Sequence, residues 1–356
     1  MKRKVSDLLD DLEVTDVEIE YSAPLSYRRI EELTMSKITK KETKHRRIGF
    51  RVLAAAAVIA ALALTSVAAY NYGGWFQNYF AAQNNDHLSE DQLAVLEESI
   101  LEIGQSVTDC GYTVTLESVV SDGMDTYLKL TATALDGRVL DGKYYYFRGI
   151  DVDIPQKPVE DHLVGVTSAG WDYADDEDTT DNVAPMLLEI SGNNVANCEP
   201  GAVWTLTLGK LMESNGTDRE SDKILAEGEW VFAFTLPEEN AGLQELTLLT
   251  EPVTIQAQTY LENSSVPDKT VEVSMTSLVL RTLSATCTYV YGEGLKVDPV
   301  TVVLKDGTAM AARFSTASMD LDTLTVRHTF SFDTPVPLDQ VDYVEFPGGV
   351  KICANE

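Results

Sequence analysis

The side chains that most often carry out chemistry are few in this sequence and lie far apart. The four histidines are His45, His87, His162 and His328. No two of them have the spacing of paired metal ligands, and the sequence contains no G-x-S-x-G motif, phosphate-binding loop, dinucleotide-binding fingerprint or H-E-x-x-H motif. We therefore expect no enzyme activity, no catalytic residue, no cofactor and no metal site. A carboxylate pair leaves no local signature, so a secreted or anchored enzyme remains a minor alternative.

Four cysteines occur in the chain, at Cys110, Cys198, Cys287 and Cys353. None belongs to a C-x-x-C pair, which excludes a zinc ribbon or a redox motif. Disulfides are chemically allowed if this region lies outside the cytoplasm, and four cysteines permit three pairings. The pairs Cys110–Cys198 and Cys287–Cys353 are favoured, because each pair then lies within one candidate domain. Four isolated buried thiols are the alternative.

An acidic run extends from Asp172 to Asp181 and also contains Asp175, Asp176, Glu177 and Asp178. Several carboxylate oxygens close together suit Ca²⁺, which is a hard cation. The run lacks the ligand spacing and the glycine of an EF-hand loop, so a solvated surface loop is the favoured interpretation.

Charge is distributed unevenly along the 356 residues. The net charge of the whole chain is −30. Residues 1–51 carry +2, residues 52–71 are uncharged, and the residues from Tyr72 onward carry −32. So acidic a surface repels nucleic acid and anionic lipid, which argues against a nucleic-acid partner. Solubility is the simplest explanation, and cation binding is a second one.

Residues 52–70 form an uncharged, alanine-rich segment of 19 residues. As a helix this segment would span roughly 28 Å, which is close to the hydrocarbon thickness of a bilayer. It therefore predicts one transmembrane helix, in contact with a lipid bilayer. A buried core helix is a weaker alternative. A cleaved signal peptide is another, because Ser66-Val67-Ala68 resembles a signal-peptide cleavage site, but a leading region of 51 residues is too long for a usual signal peptide.

The flanks of the segment predict its orientation. The basic residues that precede it are Lys37, Lys40, Lys41, Lys44, Arg46, Arg47 and Arg51. By the positive-inside rule, residues 1–51 form a cytoplasmic tail. Trp75 and its aromatic neighbours follow the segment and suit the outer membrane interface. These flanks predict a single-pass protein of the cell membrane with its C-terminal domains outside the cell.

The cytoplasmic tail contains a narrow apolar stripe made of Val5, Leu8, Leu9 and Leu12. This spacing places the four side chains on one face of a short helix. Such a stripe is too small to form a core of its own. It either docks in the groove of a partner or belongs to a disordered leader.

The remainder of the chain is predicted to be mainly β. Residues 71–105 form a linker with an amphipathic helix, which begins at a capping box around Ser89 and ends near Gly104. From about Ser106 the hydrophobic period changes to two, and turn residues separate many short strands. A faint internal repeat relates the strands after Tyr112 to those after Lys269. We therefore expect two tandem immunoglobulin-like antiparallel β-sandwiches, over residues 106–250 and 251–356.

The order of these features resembles a family of Gram-positive membrane proteins with a DUF4179-type domain, which are often described as anti-sigma factors. The resemblance covers about residues 35–250. It rests on the basic stretch from Lys40 to Ile48, the Leu88-SEDQLAVLEE stretch, the Tyr112-TVTLESVVSDG strand and the strand that begins at Gly228. Residues 251–356 look like the immunoglobulin-like domain that often follows.

The resemblance implies that the tail holds an extracytoplasmic-function sigma factor at the membrane while the ectodomain senses an extracellular ligand. The tail contains His45 and no cysteine, so the zinc-binding type of anti-sigma domain is not present. The main alternative is an envelope binding or structural protein whose sandwiches grip glycan or protein. In that case the tail is only an anchor.

Overall fold

A computed structural model describes residues 73–354 except 85–86, 156–166, 173, 175–177, 193–194, 196–197, 200, 217–221, 237–243, 250, 261–266, 291–294 and 321–324. The described residues all belong to one compact unit, Leu53–Glu356. The tail, its apolar stripe, the basic flank and the apolar segment 52–70 lie outside the described residues. Neither helix within the described part of the chain is long and apolar enough to cross a bilayer.

Two helices precede the sheets. Helix α1 extends over Gly73–Gln83 and α2 over Glu90–Ser99. The predicted capping box is confirmed, because the Ser89 hydroxyl accepts from the Gln92 backbone N–H while the Gln92 side chain accepts from the Ser89 N–H. The predicted end near Gly104 is wrong. The chain turns extended at Ile100, because residues 100–109 pair with the next strand instead of continuing the helix.

The first eight strands are β1 (Ile100–Asp109), β2 (Tyr112–Ser121), β3 (Asp125–Ala134), β4 (Tyr144–Asp153), β5 (Thr167–Asp172), β6 (Val183–Gly192), β7 (Val203–Ser214) and β8 (Lys223–Thr235). They form two antiparallel sheets, with the orders β1-β2-β3-β6-β5 and β4-β7-β8. Alternate side chains of both sheets point inward and form the first core, which contains Trp204, Trp230, Phe232 and Leu128. The inward-facing positions alternate along these strands, as the hydrophobic period of two in the sequence predicted.

The later strands are β9 (Leu246–Thr247), β10 (Val253–Tyr260), β11 (Pro267–Leu280), β12 (Ser284–Val290), β13 (Leu295–Lys296), β14 (Thr301–Leu304), β15 (Ala309–Asp320), β16 (Thr325–Phe332), β17 (Val341–Glu345) and β18 (Lys351–Cys353), with a 3₁₀ turn at Leu338–Gln340. They form one antiparallel sheet in the order β13-β10-β11-β12-β16-β15-β14-β17-β18, and β9 pairs with β11. Strand β15 pairs with β14 through its first residues and with β16 through the rest. The sheet thereby surrounds the second core, which contains Ile255, Met275, Val302, Phe330 and Val344.

A third, smaller core joins the helices to both groups of strands. It buries Phe76 and Phe80 of α1, Leu96 of α2, Tyr127 of β3 and Leu283, which precedes β12. The prediction that the aromatic residues after the apolar segment lie at the membrane interface is therefore wrong for Phe76 and Phe80, since both rings are buried in this core, where Phe76 contacts Phe80 and Phe80 contacts Tyr127. The amphipathic helix packs onto the sheets, and the mainly β class is confirmed. The immunoglobulin-like description of the sandwiches remains a prediction.

The expected disulfides are absent, because none of the four cysteines is bonded to another cysteine. Cys287 is fully buried in the second core opposite His328, whereas Cys353 is exposed on the short strand β18 opposite Tyr343. Cys110 is exposed in the turn between β1 and β2. Cys198 instead accepts a hydrogen bond from the Trp204 indole at 3.0 Å. The pairings Cys110–Cys198 and Cys287–Cys353 are therefore wrong.

Candidate binding site at the junction of the cores

Two concave regions share the residues Gly170, Trp171 and Asp172 at the end of β5. The first, which we call the outer groove, has a volume of about 600 Å³ and lies between β4 and β5. The second, which we call the junction cavity, has a volume of about 350 Å³ and lies between α1, the first sheet and the second group of strands. Both volumes lie within the range of small-molecule sites in proteins.

Strand β4 forms one wall of the outer groove. Because side chains alternate along a strand, Tyr145 and Phe147 point into the first core, whereas Tyr144 and Tyr146 lie on the opposite face. The rings of Tyr144 and Tyr146 are 5.9 Å apart. The Tyr146 hydroxyl donates to Asp222 at 2.6 Å, which fixes the position of its ring. The groove therefore has a rigid aromatic side.

Trp171 joins the two edges of the groove. Its indole N–H donates to the carbonyl of Phe147 at 2.9 Å, so that β5 is tied across the opening of the sandwich to β4. Next to this contact, Gly149 of β4 has a φ of +86° and its backbone lies close to Gly209 of β7. A Cβ atom at Gly209 would lie only 2.8 Å from the Arg148 carbonyl. The backbones can approach this closely only because glycine is present.

Ion pairs from both groups of strands line the junction cavity. Arg313 of β15 donates to both carboxylate oxygens of Glu189 of β6 at 3.1 Å each, and to Asp333 at 3.1 Å. Burial is the largest single influence on the pKa of Arg313 and lowers it, but the charge of Glu189, the hydrogen bond to Glu189 and the charges of Tyr127 and Asp333 together raise the pKa above its ordinary value. The guanidinium therefore stays charged, and it connects the sheet that contains β6 with the sheet of the later strands that contains β15.

Two tyrosines of the junction cavity are held in the neutral form. The Tyr79 hydroxyl of α1 donates to the Asp172 carboxylate, and the pKa of Tyr79 is raised by burial and then by this hydrogen bond. Burial, followed by the charge of Glu189, raises the pKa of Tyr127 well above its usual value. Tyr127 lies directly opposite Glu189 in the pairing of β3 with β6.

Trp75 is the one predicted site residue within the described part of the chain. Its half-buried ring stacks on Tyr79 with centroids 5.8 Å apart, and the ammonium of Lys129 lies 5.2 Å from its centroid. Lys129 also pairs with Glu117 at 2.7 Å. Trp75 thus helps to hold α1 on the first sheet. Its role at a membrane interface stays a prediction, as do the roles of Val5, Leu8, Leu9, Leu12, Lys40, Lys41, Lys44, Arg46, Arg47 and Arg51.

Among the described residues of the acidic run, only Asp172 lines the candidate site. In the described portion of the run, the Asp178 carboxylate accepts from the backbone N–H of Thr180 at 3.0 Å, which is a local turn. No group of three or more histidine, cysteine or carboxylate side chains able to hold a metal occurs among the described residues. The sequence did not predict that Tyr79, Glu189 and Arg313 line a common cavity, because no local sequence pattern connects residues so far apart in the chain.

Comparison with known proteins gives a family match for part of the chain. Residues 44–133 match the family model "Domain of unknown function (DUF4179)". No curated protein matches the chain. The conserved domain protein from Bacillus anthracis is similar at 15% identity, covering 69% of this chain and 76% of its own, with a TM-score of 0.42. A structure of S. aureus TarS, residues 217–571, is similar at 10% identity, covering 91% and 98%, with a TM-score of 0.16.

Proposed function

We propose that this chain, which carries a DUF4179-type domain over residues 44–133, is a single-pass membrane regulator that holds a sigma factor on its cytoplasmic side. The observation that carries the proposal is the charge pattern. An uncharged segment of 19 residues separates a basic flank from a region with a net charge of −32. The family match begins within the basic flank and ends in β3, and therefore includes the apolar segment. This arrangement favours opposite compartments for the two ends of the chain.

The way in which α1 is fixed supports a role in signal transfer. Only Asn71 and Tyr72 separate the apolar segment from Gly73, where α1 begins. Phe76 and Phe80 are fully buried, and Tyr79 donates to Asp172 of the candidate site. A change in the fold around the site would therefore reach the membrane segment through a helix and not through a long flexible linker.

The apolar stripe of the tail is the proposed contact with the sigma factor. An amphipathic helix binds a partner by placing its apolar side chains in a groove, and Val5, Leu8, Leu9 and Leu12 have the required spacing. Sequestration would cover a surface of the sigma factor that RNA polymerase needs. Release requires cleavage of the tail, or a fall in its affinity of a few kcal/mol caused by the ectodomain.

Co-purification of the full chain from membranes tests the proposed partner. We expect a sigma factor to be recovered with the wild-type protein, and to be lost with a Leu8→Asp, Leu9→Asp variant, because charges on the stripe oppose burial in a groove. An Asp10→Ser, Asp11→Ser variant changes the other side of the same segment and should retain the sigma factor. Recovery of no sigma factor with the wild type would contradict the proposal.

A binding or structural role in the cell envelope is the second candidate. The outer groove favours it, because tyrosine and tryptophan rings on a rigid wall offer contact area to glycan or peptide at a small cost in conformational entropy. Deletion of residues 1–36 separates the two functions. A regulator without its tail releases its target genes from repression, whereas an anchored binding protein keeps its function.

A further inference from the structure

We propose that Asn215 is a site of spontaneous covalent modification, at which the side-chain amide is lost and an aspartate or isoaspartate forms in the connection between β7 and β8. This inference concerns the folded unit alone, and it does not depend on a sigma factor or on the side of the membrane. It rests on three properties of this connection, which are the exposure of Asn215, the glycine that follows it and the neighbouring ammonium of Lys143.

The reaction needs only the chain and water. The backbone nitrogen of Gly216 attacks the side-chain carbonyl carbon of Asn215 and gives up its proton, so that a five-membered succinimide ring closes. The bond from this carbon to the side-chain nitrogen breaks, and that nitrogen leaves with the proton as ammonia. One water molecule then opens the ring at either carbonyl group. The product is an aspartate, or an isoaspartate whose main chain runs through the former side chain.

The position after Asn215 favours ring closure. Asn215 and Gly216 are both exposed and follow Ser214, the last residue of β7. Gly216 has a φ of +75°, in the left-handed region that glycine adopts at no steric cost, and it has no side chain to shield its nitrogen from attack. Its N–H donates to the Ser214 hydroxyl at 3.1 Å, so the proton that must leave already faces an oxygen atom.

The ammonium of Lys143 provides electrostatic assistance. A Cβ atom built on Gly216 would lie 3.0 Å from Cδ and 3.1 Å from Nζ of Lys143, so this side chain lies against the reacting backbone. Negative charge develops on the Gly216 nitrogen as its proton leaves, and then on the carbonyl oxygen that it attacks. A cation beside these atoms stabilises both charges. Because Lys143 is exposed, water weakens this effect.

Asn182 shows the opposite arrangement within the same chain. Its half-buried carboxamide donates to the carbonyl of Ala134 at 2.7 Å, which holds the side chain in place. The next residue is Val183, whose branched side chain lies beside the nitrogen that would have to attack, and which begins β6. Asn182 should therefore keep its amide.

The modification changes one wall of the outer groove. Ser214 is buried and pairs with Tyr144 of β4, which lines that groove. Isoaspartate adds one methylene group to the main chain directly after this pair, and either product adds a negative charge near Lys143.

Peptide mapping by mass spectrometry tests the site, after the full chain in detergent micelles has been incubated at mildly alkaline pH. We expect the peptide with Asn215 to gain the mass of an amide-to-acid conversion and to become a substrate for an isoaspartyl methyltransferase. The peptide with Asn182 should stay unchanged. Asn215→Gln should abolish the conversion, because the longer side chain would have to close a six-membered ring.

The role of Lys143 is tested with two lysine variants. Lys143→Met should slow the conversion about threefold, since an exposed charge has a small effect. Lys210→Met is the matched control, because it removes another exposed lysine, which pairs with Glu227. This control should convert at the rate of the wild type.

Two outcomes would overturn the proposed site. They are an unchanged Asn215 peptide in the wild type, and equal conversion of Asn215 and Asn182. Both are measured on the wild-type chain, so neither depends on the folding of a variant. Equal rates in Lys143→Met and Lys210→Met would overturn the role assigned to Lys143.

Discussion

At the scale of residues, the unusual feature is a pair of buried carboxyl groups in the turn between β2 and β3. Asp122 is 1% exposed and accepts four hydrogen bonds, from the backbone N–H groups of Met124, Asp125 and Leu283 and from the hydroxyl of Ser284. Asp125 is completely buried beside it. Burial and then the charge of Asp122 raise the pKa of Asp125 well above its usual value, while the Ser331 hydroxyl acts in the opposite direction. Asp125 therefore keeps its proton to a higher pH than an exposed aspartate does.

The raised pKa of Asp125 predicts a pH dependence of stability. In the unfolded chain an aspartate ionises near pH 4, whereas Asp125 in the folded chain stays neutral to a much higher pH. Between these two values the group lowers the free energy of unfolding by about 1.4 kcal/mol for each pH unit. Asp125→Asn cannot ionise, so its stability relative to the wild type should increase as the pH rises from 4 to 8.

Urea unfolding of both proteins across this pH range measures the effect. Asp151→Asn is the control, because it makes the same change at an exposed position on β4. Parallel stability curves for the wild type and Asp125→Asn would show that Asp125 is ionised in the folded chain.

At the scale of elements, the hairpin of β1 and β2 has a tight turn with an unfavourable residue. Cys110 and Gly111 separate the paired residues Asp109 and Tyr112, and their φ values are +45° and +84°. Positive φ at both central residues is typical of a type I′ turn, which favours Asn-Gly. Asp109 strengthens the turn, because its carboxylate accepts from the N–H groups of Cys110 and Glu229.

Cys110→Asn should therefore stabilise the protein by about 1 kcal/mol, since asparagine adopts this backbone conformation with less strain than cysteine. The midpoint of urea unfolding checks this prediction. Cys353→Asn is the control, because Cys353 is also exposed but has no positive φ. Equal shifts in the two variants would mean that loss of a surface thiol, and not the turn, causes the effect.

The elements differ in how far the sequence predicted them. The change to a hydrophobic period of two from about Ser106 predicted short strands separated by turns, and the structure confirms this for the β2–β3 hairpin. The start of β1 was missed, because Ile100, Leu101 and Ile103 continue the helical spacing of α2 and only the pairing with β2 makes them extended. The junction cavity could not be predicted, since Glu189 and Arg313 lie 124 residues apart and meet only after both groups of strands have folded.

At the scale of the whole molecule, two similar hairpins meet at their turns. In the β2–β3 hairpin the Asp122 N–H donates to the Asp125 carbonyl, and in the β11–β12 hairpin the Arg281 N–H donates in the same way to the Ser284 carbonyl. These hairpins are the two segments of the internal repeat seen in the sequence. Asp122 joins them through Leu283 and Ser284, so one buried carboxylate connects the two groups of strands.

This connection predicts how the molecule unfolds. Asp122→Ala leaves the N–H groups of Leu283, Met124 and Asp125 without their acceptor, which should cost about 2–5 kcal/mol. We expect calorimetry to show one transition for the wild type and two for Asp122→Ala, as the two groups of strands separate before they unfold. Ser284→Ala removes a single hydrogen bond and should retain one transition. Two transitions in the wild type would contradict the prediction.

The proposed placement of the acidic region outside the cell membrane can be tested with the protein's own thiols. Cys110 and Cys353 are exposed and free, Cys287 is fully buried, and residues 1–51 contain no cysteine. A Ser6→Cys variant places a thiol in the tail. We predict that a membrane-impermeant maleimide labels Cys110 and Cys353 in intact cells, and reaches the tail thiol only after the membrane is opened. Labelling of the tail thiol in intact cells, or protection of Cys110 and Cys353 until lysis, would contradict a membrane regulator with an extracellular ectodomain.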